Sequence, residues 1–249
     1  MASRMADSGG RRPFGRVLVK MSGEALAGSA GFGIDAGVLA YVAEEVASLH
    51  RAGVQCALVV GGGNLIRGAG MSAEAGIERS VADQLGMLGT LMNALALQAA
   101  IEKAGVPVRV QSAISVAQVA ENFIRRRAIR HMEKGRVVVF AAGTGNPYFT
   151  TDSAAALRAL EIGAECLIKA TKVDGVYDRD PRKHPDAVRY DTVSFTEVLD
   201  KRLAVMDQTA FTLCRENNLP VIVLDFGVSG NLLRAARGEE VGTLVRGDS

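Results

Sequence analysis

Four short stretches of the chain combine glycine, cationic and hydroxyl residues in a pattern suited to gripping phosphate: 20–23, 61–68, 143–153 and 169–177. Each follows a β-branched, apolar run, and ligands of open parallel sheets bind beyond the carboxyl ends of such strands. In Lys20-Met21-Ser22-Gly23 an ammonium stands beside backbone N–H groups that could close around an anion; alone, the lysine equally suits a surface position before a turn. Gly61-Gly62-Gly63-Asn64-Leu65-Ile66-Arg67-Gly68 lets backbone approach a ligand closely, and Arg67 offers a planar fork for phosphate. The segment from Gly63 resembles a P-loop until Ala69-Gly70, which stand where lysine and Ser/Thr would be required. Gly143 and Gly145 release the next strand, Pro147 stiffens the loop, and Thr150, Thr151, Asp152 and Ser153 open a helix whose unpaired N–H groups attract anions. Capping alone accounts for one of these side chains, not the set with Thr144 and Asn146.

Asp152 is the anomaly of that group, because a carboxylate beside a phosphate cradle repels the ligand. It fits if a divalent cation intervenes, or if it orders the lysines around a transferring group. Lys169 and Lys172, with Tyr177 to lie along a base and Asp180 to accept from ribose hydroxyls, suit a purine nucleotide. Together these groups bring positive charge to one sheet edge, which is what phosphoryl transfer demands: positioning and charge neutralisation rather than covalent help. No Ser-His-Asp set competes, since His50, His131 and His184 fall in sequence that reads as helix or loop surface.

The elements that must position these residues alternate regularly. Strands are expected at 16–20, 54–60, 106–110, 136–140, 165–170, 220–226 and 242–245, with helices between them, one from Asp35 as cap to Arg51 and a long one ending at Lys103. Strands apolar throughout and separated by helices indicate a parallel sheet covered on both faces, an α/β fold of three layers (α/β/α) with a mostly parallel central sheet. The 249 residues suffice for one large domain. Residues 1–15 read as a loose tail without the apolar core of a secretory signal, and any seam between two lobes falls near residue 165. Residues 172–191 form the one irregular stretch, too long for a simple turn. The chain is 48% apolar and 22% charged with net charge +2, which describes an ordinary globule and carries no nucleic-acid footprint; Arg125, Arg126, Arg127 and Arg130 read as a solvated helix face. Cys56, Cys166 and Cys214 lie in apolar runs, outside any disulfide or zinc spacing, as buried hydrophobes of a reducing cytosol. Gln84 to Ile101 is uncharged over nearly the length of a bilayer, yet Gln84, Thr90, Asn93 and Gln98 interrupt it, favouring a core or subunit-interface helix.

The blocks KMSGEAL, GFGID, GGGNLIRGAG, AGTGNPYFTTDSAA, KATKVDGVYDRDP and VMDQTAFTL resemble the bacterial uridylate (UMP) kinase family, of the amino-acid kinase fold, over about residues 16–246. The resemblance implies transfer of the γ-phosphoryl of ATP to UMP with Mg2+, in pyrimidine nucleotide synthesis. It implies that Lys20, Met21, Ser22 and Gly23 hold ATP phosphates, Lys20 supporting the transfer, with Gly63 and Arg67 serving the phosphates between the nucleotides. Thr171, Tyr177 and Asp180 would hold the adenosine half. Gly62 and Asp83 would contact UMP, wrapped by Thr144, Gly145, Asn146, Pro147, Tyr148, Phe149, Thr150 and Thr151. Asp152 would be the catalytic acidic residue and Asp207 would assist near the phosphates. The loop Gly28, Ser29, Ala30, Gly31, Phe32, Gly33 corresponds to the segment tied to activation by GTP, although Ser29-Ala30 departs from the polar residues usual there. UTP would be the inhibitor, and the assembly a cytoplasmic homohexamer, without membrane or nucleic-acid partners. Two other readings remain: a kinase of the same fold acting on a carboxylate or carbamate, and a non-catalytic nucleotide-binding assembly.

Overall fold

A computed structural model describes residues 13–66 and 76–247. Arg67, placed by the sequence among the phosphate-binding groups, lies outside the described residues, as does most of the 1–15 tail. In chain order the elements are β1 (Arg16–Met21), α1 (Gly23–Leu26), α2 (Ala36–Arg51), β2 (Gln55–Val60), α3 (Arg79–Lys103), β3 (Val108–Ser112), β4 (Glu121–Asn122), α4 (Arg125–Glu133), β5 (Val137–Ala141) and α5 (Thr151–Ile162). There follow β6 (Cys166–Thr171), β7 (Val176–Tyr177), β8 (Arg189–Tyr190), β9 (Thr192–Ser194), α6 (Phe195–Asp200), α7 (Gln208–Glu216), β10 (Val221–Asp225), α8 (Asn231–Ala236) and β11 (Thr243–Arg246).

Nine strands form one sheet in the order β4-β3-β5-β2-β1-β6-β10-β11-β9, parallel throughout except for the β10–β11 pair. Helices cover both faces, giving the three-layered α/β fold expected from the unbroken apolar strands. Side chains alternate across each strand, so β1 feeds two cores. Val17, Val19 and Met21 pack under α2, α3 and α8, while Leu18 joins Leu167, Ala155 and Phe211 beneath α4, α5, α6 and α7. The caps are those the sequence supplies: Asp35 Oδ1 accepts from Val38 N at 2.9 Å, and the Thr150 hydroxyl accepts from Asp152 N and Ser153 N.

Three expectations change. The strand expected at 106–110 is Val108–Ser112, because Pro107 has no N–H for a ladder and Val106 N is spent on Ile101 O, closing α3. The irregular stretch 172–191 contains a two-stranded hairpin, β7 with β8. His131 is not a surface residue: it is buried on α4, with Nε2 3.0 Å from Glu121 Oε2 and Nδ1 3.0 Å from Arg136 Nη1, partners brought by the edge strand β4 and by the turn before β5. All three cysteines are buried and free, and the four arginines of α4 are exposed as expected. Helix α3 is long and apolar enough to cross a bilayer, but in the fold its inward face packs on the sheet.

Candidate active site

The carboxyl ends of five adjacent strands, β5, β2, β1, β6 and β10, open onto one rim. Residues Lys20 and Lys169 are register partners on β1 and β6, continuing the rows of Leu18 and Leu167 on the face that α5 covers. Two like charges opposite each other destabilise a sheet. The amino end of α5 supplies the answer: Asp152 Oδ1 lies 2.6 Å from Lys20 Nζ, and Oδ2 accepts from Lys169 Nζ at 2.8 Å. Lys169 also donates to Val205 O at 2.6 Å. Burial by itself would push the Asp152 carboxyl up, but the charges of Lys20 and Lys169 and their hydrogen bonds outweigh it and hold it below its ordinary range. Asp152 thus touches both lysines, the contact that the second of its two expected roles requires.

Asp207 caps α7, accepting from Ala210 N at 3.0 Å, and reaches across to α5, where Ser153 Oγ donates to Oδ1 at 3.0 Å and the Thr150 hydroxyl donates to Oδ2. It therefore fixes the first turn of α5 against α7. Glycine corners complete the rim. A methyl on Gly61 would sit 2.8 Å from Gly23 N and 3.6 Å from Thr151 Oγ1, and one on Gly23 would sit 2.5 Å from Gly61 O, so these turns meet at a distance only glycine allows. Gly62 presses on α3 in the same way, a methyl there lying 2.6 Å from Gly86 O.

Two clefts flank this junction. The larger, about 530 Å³, is lined by Lys20, Ser22, Thr171, Lys172, Tyr41 and Phe226, among others. Ser22 caps α1 through Glu24 N, and Thr171 Oγ1 donates to Val173 O at 2.8 Å, shaping the turn after β6. Met21 turns its side chain into the core and presents backbone alone to the rim, where its carbonyl accepts from Gly61 N at 3.0 Å. Tyr177 and Asp180 do not line the cleft; Tyr177 Oη donates to Asp174 Oδ1 and Asp180 accepts from Arg182 N, while Arg182 itself reaches the cleft wall. The lining residues that sequence reasoning missed, Tyr41 and Phe226, stack edge to face at 5.1 Å, and Tyr41 Oη donates to Phe226 O. Burial, then the neighbouring Glu45 and Asp225 carboxylates, push the Tyr41 hydroxyl up to about 12.

The smaller cleft, about 210 Å³, takes Gly62, Gly63, Asp83, Thr144, Asn146, Phe149, Thr150 and Thr151 from the expected set. Asp83 is held by Arg79 Nε at 2.9 Å and accepts from Tyr148 N at 2.8 Å. Gly145, Pro147 and Tyr148 lie in the same loop without lining the cleft. The loop Gly28 to Gly33 stands apart from both clefts, yet Gly33 is latched to the glycine corner: Asn64 Nδ2 donates to Gly33 O at 2.7 Å and Gly33 N to Asn64 O at 3.0 Å. Among the described residues no group of three or more His, Cys, Asp or Glu side chains converges as a metal cage.

The amino acid kinase family pattern matches residues 15–225. A uridylate kinase of Xanthomonas oryzae pv. oryzae is 57% identical over 234 residues, 94% of this chain and 97% of the relative. The crystal structure of a UMP kinase from Bacillus anthracis superposes with a TM-score of 0.93 at 38% identity, covering 96% of this chain and 98% of that one. A UMP kinase structure from Ureaplasma parvum gives 0.87 at 34% identity, covering 95% and 99%. With sheet, glycine corners and lysine pair in place, the chain belongs to the amino acid kinase family, in its uridylate kinase branch.

Proposed function

We propose that the chain is a nucleoside monophosphate kinase that moves the γ-phosphoryl of ATP to UMP, reversibly, giving UDP and ADP for pyrimidine nucleotide synthesis in the cytoplasm. The observation that carries this reading is the Lys20–Asp152–Lys169 cluster, whose two lysines line the larger cleft while Thr151, next to Asp152, lines the smaller. The larger cleft, lined by an aromatic pair and by Lys20, Lys169 and Lys172, takes ATP. The smaller, rimmed by threonines and Asp83, takes UMP. An oxygen of the UMP phosphate attacks the γ-phosphorus and the bond to the β-phosphate oxygen breaks, leaving ADP. Lys20, with Arg67 from the glycine loop, neutralises charge that develops on the transferring oxygens. Asp152 lines neither cleft, so it acts by holding the ammonium groups of Lys20 and Lys169 in place. Lys172, exposed on the wall of the larger cleft, is the lysine that meets ATP phosphates.

Mg2+ bound to ATP would supply charge neutralisation at the phosphates. The carboxylates of Asp152 and Asp207 are already bonded to lysines and to hydroxyl and backbone donors, so the fit is to an ion held by phosphate oxygens and water. In this reading residues 16–164 form the UMP side and 165–249 the ATP side of one domain. The Gly28–Gly33 loop receives GTP and UTP inhibits. The protein is a homohexamer through the exposed apolar face of α3, where Leu88 is 43% and Met92 is 54% exposed. An acceptor panel tests the assignment: ATP with UMP, CMP or N-acetylglutamate, ADP release being followed. Preference for N-acetylglutamate would favour a carboxylate kinase, whose acceptor has no ribose for Asp83. Binding of both nucleotides without turnover would favour a non-catalytic assembly.

A further inference from the structure

Helix α3 presents a row of polar side chains, Asp83, Thr90 and Asn93, along its inward stripe, each bonded to the backbone of a site loop. Asp83 takes Tyr148 N at 2.8 Å, Thr90 takes Ala142 N at 2.7 Å, and Asn93, fully buried, gives Nδ2 to Gly61 O at 2.7 Å. Two of those targets are unusual. Ala142 and Tyr148 adopt φ of +61° and +71°, the left-handed region that side chains other than glycine's, asparagine's or aspartate's rarely enter. They bracket the loop of the smaller cleft, and each is held by a side chain of the same helix. Such conformations persist where surrounding contacts over-determine them, and they concentrate at binding sites.

The Thr90 contact is directional. Thr90 is 4% exposed and its hydroxyl proton is committed to Met87 O at 2.7 Å, so the oxygen can only accept, and Ala142 N is what it accepts from. We infer that Thr90 is a positioning residue for the acceptor nucleotide: it latches Ala142 in the left-handed state from which residues 143–150 turn to enclose the acceptor. The inference rests on the reading that the smaller cleft takes UMP. Thr90→Val keeps the volume and removes the acceptor oxygen, leaving a buried N–H unpaired and freeing Ala142 to relax.

The test is steady-state kinetics of the full chain with melting curves alongside. Thr90→Val should raise the KM for UMP about tenfold, the factor that the left-handed state costs an alanine once nothing holds it there, while the KM for ATP stays within about twofold. Thr90→Ser keeps both hydrogen bonds and should restore the UMP KM. The double variant Thr90→Val, Ala142→Gly should also recover it, because glycine adopts the left-handed state unaided. A threonine that merely supported packing would lower Tm with both KM values unchanged, and that result overturns the latch. Should Thr90→Val fail to fold, the double variant decides: recovery of fold and UMP binding supports the latch, and continued failure overturns it. A wild-type enzyme that does not turn over UMP sinks the functional reading and this inference with it. Normal wild-type turnover with an unmoved UMP KM in Thr90→Val sinks the latch alone.

Discussion

Replacing Asp152 by asparagine tests the centre of the mechanism at constant shape. The carboxylate meets two ammonium groups, at 2.6 Å and 2.8 Å, with its own side chain only 14% exposed. A hydrogen bond to a charged partner in such a setting contributes about 1.5–3 kcal/mol. Asparagine retains one carbonyl acceptor but points an amide donor at the other lysine, so one contact is lost outright and the remaining one loses its charge. The net loss of ordering is about 3 kcal/mol, which is roughly a hundredfold in kcat. Because Asp152 lines neither cleft, the KM for UMP should move by less than about threefold. A coupled assay of ADP release, with UMP and ATP varied in turn, measures both quantities. Circular dichroism melts serve as the control, since two under-neutralised lysines side by side also lower stability. Equal factors in kcat and in the KM for UMP, or a kcat that holds, would refute the claim that Asp152 works by organising Lys20 and Lys169.

The same carboxylate sets an acid limit. Held below its ordinary 3.8, it binds fewer protons folded than unfolded. Its contribution is complete above that ordinary value and drains away as pH falls through the lower folded one. Urea unfolding of wild type and Asp152→Asn should show a stability gap that is constant from neutral pH to about pH 5 and closes in stronger acid; a gap that persists there contradicts the ion-pair argument. Lys169→Met should cut kcat and lower Tm, because Lys169 is bonded to Asp152 and Val205 O, whereas Lys172→Ala should raise the KM for ATP with little change in Tm. A reversed pattern would mean that the two lysines have been assigned the wrong way round. Gly62→Ala places a methyl 2.6 Å from Gly86 O, forcing α3 off the glycine corner at about 1–3 kcal/mol. Tm should fall by several degrees and UMP affinity with it, and unchanged values in both would show that the helix can give way freely.

The fold was legible wherever a segment carried its own signal, and illegible where a partner made it. A short apolar run that ends in two valines and a glycine turn, as in Gln55–Val60, reads as a strand buried on both faces. Two residues such as Glu121–Asn122 become a strand only because Gln111 and Ser112 lie alongside. The site divides in the same way. Glycines, lysines and threonines at strand ends announced themselves, since nothing in a core or a plain turn asks for them together. Thr90 and Asn93 did not: within an apolar stretch they read as interruptions, and their bonds exist because α3 crosses over Gly62. Tyr41 and Phe226 are 185 residues apart and meet through topology alone. Asp152 lies between these cases. Its position at a helix start was plain, and its conflict with a phosphate site was equally plain. What resolved the conflict is the register of β1 against β6, which sets Lys20 beside Lys169. Strand periodicity alone places Lys169 on the face of Leu167 and puts Lys172 past the strand's end, so the pairing could have been deduced once β1 and β6 were known to be neighbours. Two ammonium groups abreast on a half-buried sheet edge require an anion when no nucleotide is bound, and a carboxylate on the first turn of the covering helix is the one that can remain when the phosphates leave.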